Sequence, residues 1–168
     1  IMEGLRINIP ELKGTYILVI SVVDDLNVKI GCLGRYELKK GIYVYVGSAR
    51  GPGGLKARIH RHLKLNKKVR WHIDYLTVNP KVKIKAVFYL KSKALLETVI
   101  AKKLFSNDFF EGVIKGFGCT DKRNNYTHLY KLKGISSIEE LIRKLMKIAR
   151  DTCYEEQGFV IINNNNHF

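Results

Sequence analysis

The sequence predicts a mixed α+β domain in which a small antiparallel sheet of about three central strands is flanked by helices. Residues 14–25, GTYILVISVVDD, are apolar at nearly every position and rich in β-branched side chains, which is typical of a strand buried on both faces. From Gly54 onward the apolar residues recur every four positions, which indicates a helix. The 168 residues fit one domain. We assign it to residues 1–151, and we expect a poorly ordered polar tail over 152–168.

Further strands are predicted from the same kind of pattern. Residues 28–38 form a β stretch broken by two glycines, and residues 42–49 follow a Lys-Lys-Gly turn as a hairpin partner. Together with 14–25, which we place at the centre, these segments make three antiparallel strands in the simplest arrangement. Residues 81–91 alternate polar and apolar side chains and carry several lysines, which is typical of an edge strand. Residues 127–132 fit one more strand.

Four segments have a helical pattern. The first begins near Gly54, and the second is WHIDYL, which begins at Trp71. Apolar residues return to helical spacing over 94–106. Ser136 opens a Ser-x-x-Glu capping box, which predicts a C-terminal amphipathic helix that ends near Arg150.

The chain has a net charge of +15, because 30 lysines and arginines face 15 aspartates and glutamates. A surplus of this size favours a polyanionic partner. It is concentrated between Leu38 and Ile73, where ten cations occur without one acid around the turn RGPGG. We interpret this window as a groove that follows a phosphate backbone; a solvated lysine-rich face is the alternative. The candidate nucleic-acid-binding residues are Arg50, Lys56, Arg61, Lys64, Lys67, Lys68 and Arg70.

The same composition predicts a cytoplasmic protein without a membrane partner. No run approaches the roughly 20 apolar residues of a spanning helix, and the N-terminal residues lack the layout of a secretion signal. The three cysteines are widely spaced and have no partner at zinc-ligand spacing. We therefore expect neither a disulfide framework nor a structural zinc.

Three residues could carry chemistry, two of them within the basic window and one after it. Arg58 and His62 are four residues apart and therefore share a helix face, at the border of the apolar stripe. Glu97 is the only carboxylate between Asp74 and Asp108, and one carboxylate next to a basic groove could hold Mg²⁺. A helix-edge histidine and a surface ion pair remain the structural alternatives.

Tyrosines mark two of the strands. Tyr16 lies on the first strand, and Tyr43 and Tyr45 share one face of the third, because alternate residues point to the same side. Tyrosine is also common in strands as a packing residue, so each could be structural.

The order of these residues resembles the GIY-YIG nuclease superfamily. The chain has GTY at 14–16, YVG at 45–47, Arg58 and His62 on the next helix, and Glu97 on a later one. Within that superfamily it is most similar to a prokaryotic branch, domain of unknown function 123. The likeness to the branch rests on the stretches YVYVGSARGPGGL, WHIDYL and GFGCTD with a later His-Leu. It covers about residues 12–132.

The resemblance implies a metal-dependent endonuclease that hydrolyses DNA phosphodiester bonds, in DNA repair or processing. It also implies a small antiparallel sheet with an extra hairpin over about 25–41. Its catalytic residues would be Tyr16, Tyr45, Arg58, His62 and Glu97. A tyrosine would activate water, Arg58 would neutralise developing charge, His62 would orient the tyrosine or relay the proton, and Glu97 would hold Mg²⁺ or Mn²⁺.

The branch motifs add four further candidates, and one expected residue has no clear match. The additional candidate site residues are His72, Asp74, Asp121 and His128. The superfamily's late asparagine has no evident counterpart, and His128 is the nearest by position. A nucleic-acid-binding module that has lost catalysis and an RNA-directed nuclease or binder therefore remain alternatives.

Overall fold

The computed structural model describes residues 8–120 and 125–162. In this part of the chain the strands are β1 Gly14–Val22, β2 Leu26–Ile30, β3 Gly34–Leu38, β4 Gly41–Ala49, β5 Val82–Lys91, β6 Phe110–Gly112, β7 Leu129–Leu132 and β8 Glu156–Ile161. The α-helices are α1 Gly54–Leu63, α2 His72–Thr77, α3 Glu97–Phe105 and α4 Ile138–Ala149. The mixed α+β class is confirmed.

The main sheet has six antiparallel strands in the order β6-β7-β4-β1-β5-β8. The first strand is central, as expected, but the number of about three strands is too low. Strand β7 confirms the strand expected over 127–132, whereas β6 and β8, which are three and six residues long, were not predicted. Strands this short have too few residues for a clear alternation of polar and apolar side chains.

Strand β5 is not an edge strand, because β8 pairs with its residues 86–91. The lysine-rich beginning of β5, which suggested an edge, extends beyond this pairing. The polar tail expected over 152–168 is corrected for the same reason, since residues 156–161 form β8 and extend the domain past residue 151. The remainder of that tail, from 163 onward, lies outside the described residues.

The segment 25–41 leaves the main sheet as a separate hairpin. Strands β2 and β3 pair only with each other among the described residues, and a short 3₁₀ helix, Gly31–Leu33, joins them. Strand β1 pairs directly with β4, so the three-strand arrangement that included 28–38 is wrong. The hairpin insertion implied by the resemblance is present.

The sheet separates two cores, because alternate residues of β1 point to opposite faces. Tyr16 and Leu18 pack in the core beneath α1 and α2, whereas Ile17 and Val19 pack in the core beneath α3 and α4.

Helix α4 starts one residue later than the capping box suggested, because the Ser137 side chain accepts the Glu140 N–H. Within the described ranges, no helix is long and apolar enough to cross a membrane.

Candidate active site

Tyr16 and His62 form a buried hydrogen-bonded pair between β1 and α1. The Tyr16 hydroxyl oxygen and His62 Nε2 are 2.7 Å apart, and each residue is only 1% exposed. Tyr16 lies opposite Gly47 of β4, where an added Cβ would come within 2.3 Å of the tyrosine ring. Glycine at this position therefore gives the ring the room to lie across the neighbouring strand.

A cavity of about 230 Å³ opens beside this pair. Its lining includes four of the five predicted catalytic side chains, and the fifth, His62, is bonded to one of the four. The elements β1, β4, α1 and α3 each contribute one of these four residues. The lining residues are Tyr16, Tyr45, Ser48, Arg58, Trp71, Glu97 and Gly118.

Trp71 holds the guanidinium of Arg58 at the cavity. The Cζ atoms of Arg58 and Arg61 lie 4.3 and 4.0 Å from the centroid of the Trp71 ring, which is the geometry of a cation–π contact. Sequence reasoning did not assign a role to Trp71, although the WHIDYL motif contains it. The ring reduces the freedom of Arg58 before any ligand is bound.

Arg61 is engaged inside the protein rather than turned towards a phosphate. Its guanidinium donates two hydrogen bonds of 2.8 Å to the carboxylate of Asp74, which is fully buried. Asp74 also accepts the backbone N–H groups of Arg70 and Trp71. Burial acts to raise the pKa of Asp74, but the hydrogen bonds from Arg61 and from the two backbone groups outweigh it and hold the pKa at about 2. The expectation of a phosphate-binding Arg61 is thereby corrected, and Asp74 is its structural partner.

Three other cations of the basic window also have partners in the fold. Arg50 donates to the carbonyl groups of Ser92 and Ala94. Lys67 donates to the carbonyl oxygen of His62 at 2.8 Å, and Lys56 pairs with a carboxylate outside the window at 2.8 Å. The window is therefore not a set of ten unpaired charges. The candidates that remain exposed are Lys64, Lys68 and Arg70.

Glu97 begins α3 and contacts a second buried histidine. Its Oε1 atom lies 3.2 Å from His128 Nδ1, and His128 is 0% exposed. His128 Nε2 lies 2.7 Å from the amide nitrogen of Asn125. Asn125 thus reaches the site through His128. The long-range contact here is that of His128 with Glu97, which the sequence pattern did not reveal.

Burial dominates the electrostatics of the two tyrosines. It raises the pKa of Tyr16 and of Tyr45 far above the usual range, although the charge of Arg58 acts in the opposite direction. In the protein alone, both phenols are therefore less acidic than a free tyrosine despite the neighbouring cation. Burial also lowers the pKa of His62 to about 3, with Lys67 contributing in the same direction, so this imidazole is neutral at pH 7.

His72, another candidate from the motifs, does not line the cavity. His72 Nδ1 accepts the backbone N–H of Gly118 at 2.9 Å, and its ring packs against Phe117, with centroids 5.6 Å apart. His72 therefore ties α2 to the loop that carries Gly118. Asp121 lies outside the described residues.

The donor set of the cavity fits a hard divalent cation. Glu97 is the single carboxylate among the lining residues, and Mg²⁺ is commonly held by one or two carboxylates together with substrate phosphate and water. Over residues 8–120 and 125–162, no three His, Cys, Asp or Glu side chains are grouped to hold a metal ion. A closed zinc site, which needs about four such ligands, is thus not formed by these residues.

Comparison with known sequences identifies the family. No curated protein and no solved structure matches the chain. A family model described as "Domain of unknown function DUF123" matches residues 15–151. This range runs from the second residue of β1 to beyond the end of α4. The chain therefore belongs to this family, the branch to which its motifs were compared above.

Proposed function

We propose that the protein is a divalent-metal-dependent endonuclease that hydrolyses phosphodiester bonds in DNA. The observation that supports this most strongly is the gathering of Tyr16, Tyr45, Arg58 and Glu97 around one polar cavity, with His62 bonded to Tyr16. A proton acceptor, a fixed cation and a hard oxygen ligand are the groups that phosphodiester hydrolysis requires.

Tyr16 is the better candidate to accept a proton from the attacking water. Its hydroxyl oxygen can take up that proton while its own proton passes to His62 Nε2, 2.7 Å away. Burial lowers the pKa of His62 to about 3, so its imidazole is neutral before the reaction and Nε2 can act as the proton acceptor. Tyr45 lines the same cavity, and its ring lies 6.4 Å from that of Tyr16.

Arg58 supplies the positive charge that meets the phosphoryl oxygens. Its contact with the Trp71 ring orients the guanidinium in advance, so less conformational entropy is lost when the transition state forms. The metal ion, Mg²⁺ or Mn²⁺, would be held by Glu97, and it would polarise the phosphate and stabilise the leaving oxygen. His128 contacts the carboxylate of Glu97 and is itself bonded to Asn125, so these two residues hold the carboxylate in place.

The basic surface near the cavity supports a nucleic-acid substrate. Lys64, Lys68 and Arg70 are exposed on the connection between α1 and α2, next to the helix that carries Arg58. Exposed cations of this kind bind the phosphate backbone without reading bases. A cytoplasmic location and a role in DNA repair or processing are part of the same proposal.

Glu97→Gln tests catalysis separately from binding. The purified protein is incubated with supercoiled, single-stranded and branched DNA and with structured RNA, each with Mg²⁺, Mn²⁺ or EDTA. We expect metal-dependent DNA cleavage that falls by about 100-fold or more in Glu97→Gln and in Arg58→Ala, since each removes charge stabilisation from the transition state. DNA affinity is expected to be unchanged or tighter in Glu97→Gln, because one negative charge is lost.

Glu111→Gln is the matched control, because Glu111 is an exposed glutamate on β6. Its cleavage rate is expected to equal that of the wild-type protein. Binding without cleavage on every substrate would instead identify a binding module that has lost catalysis. Cleavage of RNA alone would contradict the assignment to DNA.

A further inference from the structure

Two aromatic side chains are exposed together at the C-terminal end of α3. Phe105 is 56% exposed and Tyr126 is 43% exposed, and their ring centroids are 5.6 Å apart with 35° between the planes. A third ring, Phe109, is 38% exposed and lies under the ammonium group of Lys144, whose Nζ atom is 3.3 Å from its centroid. Several large apolar rings that are exposed to solvent next to one another indicate a binding surface.

Lysines lie next to these rings, since Lys102 lines one cavity with Phe105 and Tyr126 and a second cavity with Phe109. A cavity of about 510 Å³ between α3 and α4 is lined by four lysines together with Phe109 and Ile148. No carboxylate is among its lining residues, and in the described chain only Lys144 has an acid nearby, Glu140 at 3.9 Å. The lysines are Lys102, Lys103, Lys144 and Lys147. The surface therefore combines exposed π-faces with a positive charge.

The surface and the candidate active site lie at opposite ends of α3. Glu97, Ala101 and Phe105 are spaced by four on α3 and so share one helix face. Phe105 thus lies eight residues, about 12 Å, along the helix from Glu97. A smaller cavity of about 160 Å³ lies beside the rings, and its lining includes Phe105, Tyr126 and Asn125. Asn125 contacts His128, which in turn contacts Glu97.

We propose that Phe105, Tyr126 and Phe109, with Lys102, Lys144 and Lys147, bind single-stranded nucleic acid. Aromatic rings can stack only on bases that are unpaired, and the lysines match the phosphates between them, so this combination selects single strands over duplex. The binding surface itself does not depend on catalysis. The surface also indicates the substrate class of the nuclease, which is DNA in which a single strand leaves a duplex near the cleavage point. This part of the inference rests on the proposed function.

Equilibrium binding in EDTA tests this surface without any cleavage. Fluorescence anisotropy is measured with a labelled oligothymidine of about 15 nucleotides and with a duplex of the same length. The double variant Phe105→Ala/Tyr126→Ala is expected to bind the single strand at least about tenfold more weakly, since stacking of one base contributes roughly that factor. Its affinity for the duplex is expected to change less than about twofold.

Two sets of control variants distinguish base stacking on the rings from two other causes of weaker binding. These causes are the loss of apolar surface and the loss of positive charge. Phe105→Leu/Tyr126→Leu keeps apolar side chains, so it is expected to lose single-strand affinity as the alanine variant does, whereas Phe105→Trp/Tyr126→Trp is expected to keep it. Lys102→Glu/Lys144→Glu is expected to weaken binding more than Lys29→Glu/Lys83→Glu, which makes the same charge change at exposed positions on β2 and β5.

If the leucine variant binds the single strand like the wild-type protein, or if the single strand and the duplex weaken equally, the rings do not stack on bases. The surface would then be a docking site for an acidic protein. Because no cleavage is measured, these outcomes are independent of whether Glu97→Gln abolishes nuclease activity.

Discussion

Two tyrosines lie in one row across the sheet, each next to a glycine, and only one of them reaches the cavity. Tyr16 of β1 faces Gly47 of β4, Tyr89 of β5 faces Gly158 of β8, and the two tyrosines face each other. A Cβ on either glycine would come within 2.3 Å of the facing ring. The pairing of tyrosine with glycine is therefore a packing device that this sheet uses twice.

The difference between the two pairs lies in what the hydroxyl group meets. The Tyr16 hydroxyl is bonded to His62 and lines the cavity with Arg58 and Glu97, whereas Tyr89 is not among the cavity residues. The short motifs GTY and YVG thus describe backbone and ring geometry, and the residues on α1 and α3 add the charged and hydrogen-bonding groups around the Tyr16 hydroxyl. A tyrosine–glycine pair on its own is not evidence of catalysis.

Replacing each tyrosine by phenylalanine gives the largest expected contrast. Tyr16→Phe removes the proposed proton acceptor but keeps the ring, so DNA cleavage is expected to fall by about 10²–10⁴-fold. Tyr89→Phe makes the same chemical change in the same row and is expected to alter cleavage less than about twofold. Initial cleavage rates at saturating DNA measure both. Equal losses in the two variants would mean that Tyr16 has no special role.

Adding a methyl group to each glycine tests the packing that the two pairs share. Gly47→Ala and Gly158→Ala are both expected to lower the free energy of unfolding by about 3 kcal/mol, because the ring must move from the new Cβ. Only Gly47→Ala is expected to reduce cleavage per folded molecule, since it displaces Tyr16 from His62. Urea unfolding and rate measurements on the same samples give both quantities. A Gly47→Ala variant with normal stability would contradict the packing argument.

The sequence predicted the parts of this arrangement that depend on local pattern. The helix that carries Arg58 and His62, the central strand and the order of the motif residues all follow from spacing between near neighbours. Two features were not predictable in this way. The ion pair of Arg61 with Asp74 depends on how α2 folds back on α1, and the pairing of β8 with β5 joins residues about 70 positions apart. Long-range contacts of this kind leave little trace in composition or period.

The smallest effect expected from the comparison is on the pH dependence of stability. It comes from His62, which is bonded to Tyr16 and not to Tyr89. His62 has a pKa of about 3 in the folded protein and an ordinary value near 6.5 when unfolded, so the unfolded state binds the additional proton as the pH falls. The contribution of neutral His62 to the free energy of unfolding is complete above pH 6.5, and it is lost as the pH falls from 6.5 to 3. From pH 7 to pH 5 the loss is expected to be about 2 kcal/mol. This window lies above the titration of Asp74, whose pKa is about 2.

Chemical unfolding at pH 7, 6 and 5 measures this loss. His62→Gln, which cannot titrate, should be about 2 kcal/mol less sensitive to pH over the same window than the wild-type protein. Tyr89→Phe should keep the full wild-type pH dependence, because no histidine is bonded to that tyrosine in the described part of the chain. If His62→Gln shows the same pH dependence as the wild-type protein, His62 is not held neutral by burial. The neutral buried state of His62 would then have to be abandoned, while the packing of Tyr16 on Gly47 would be unaffected.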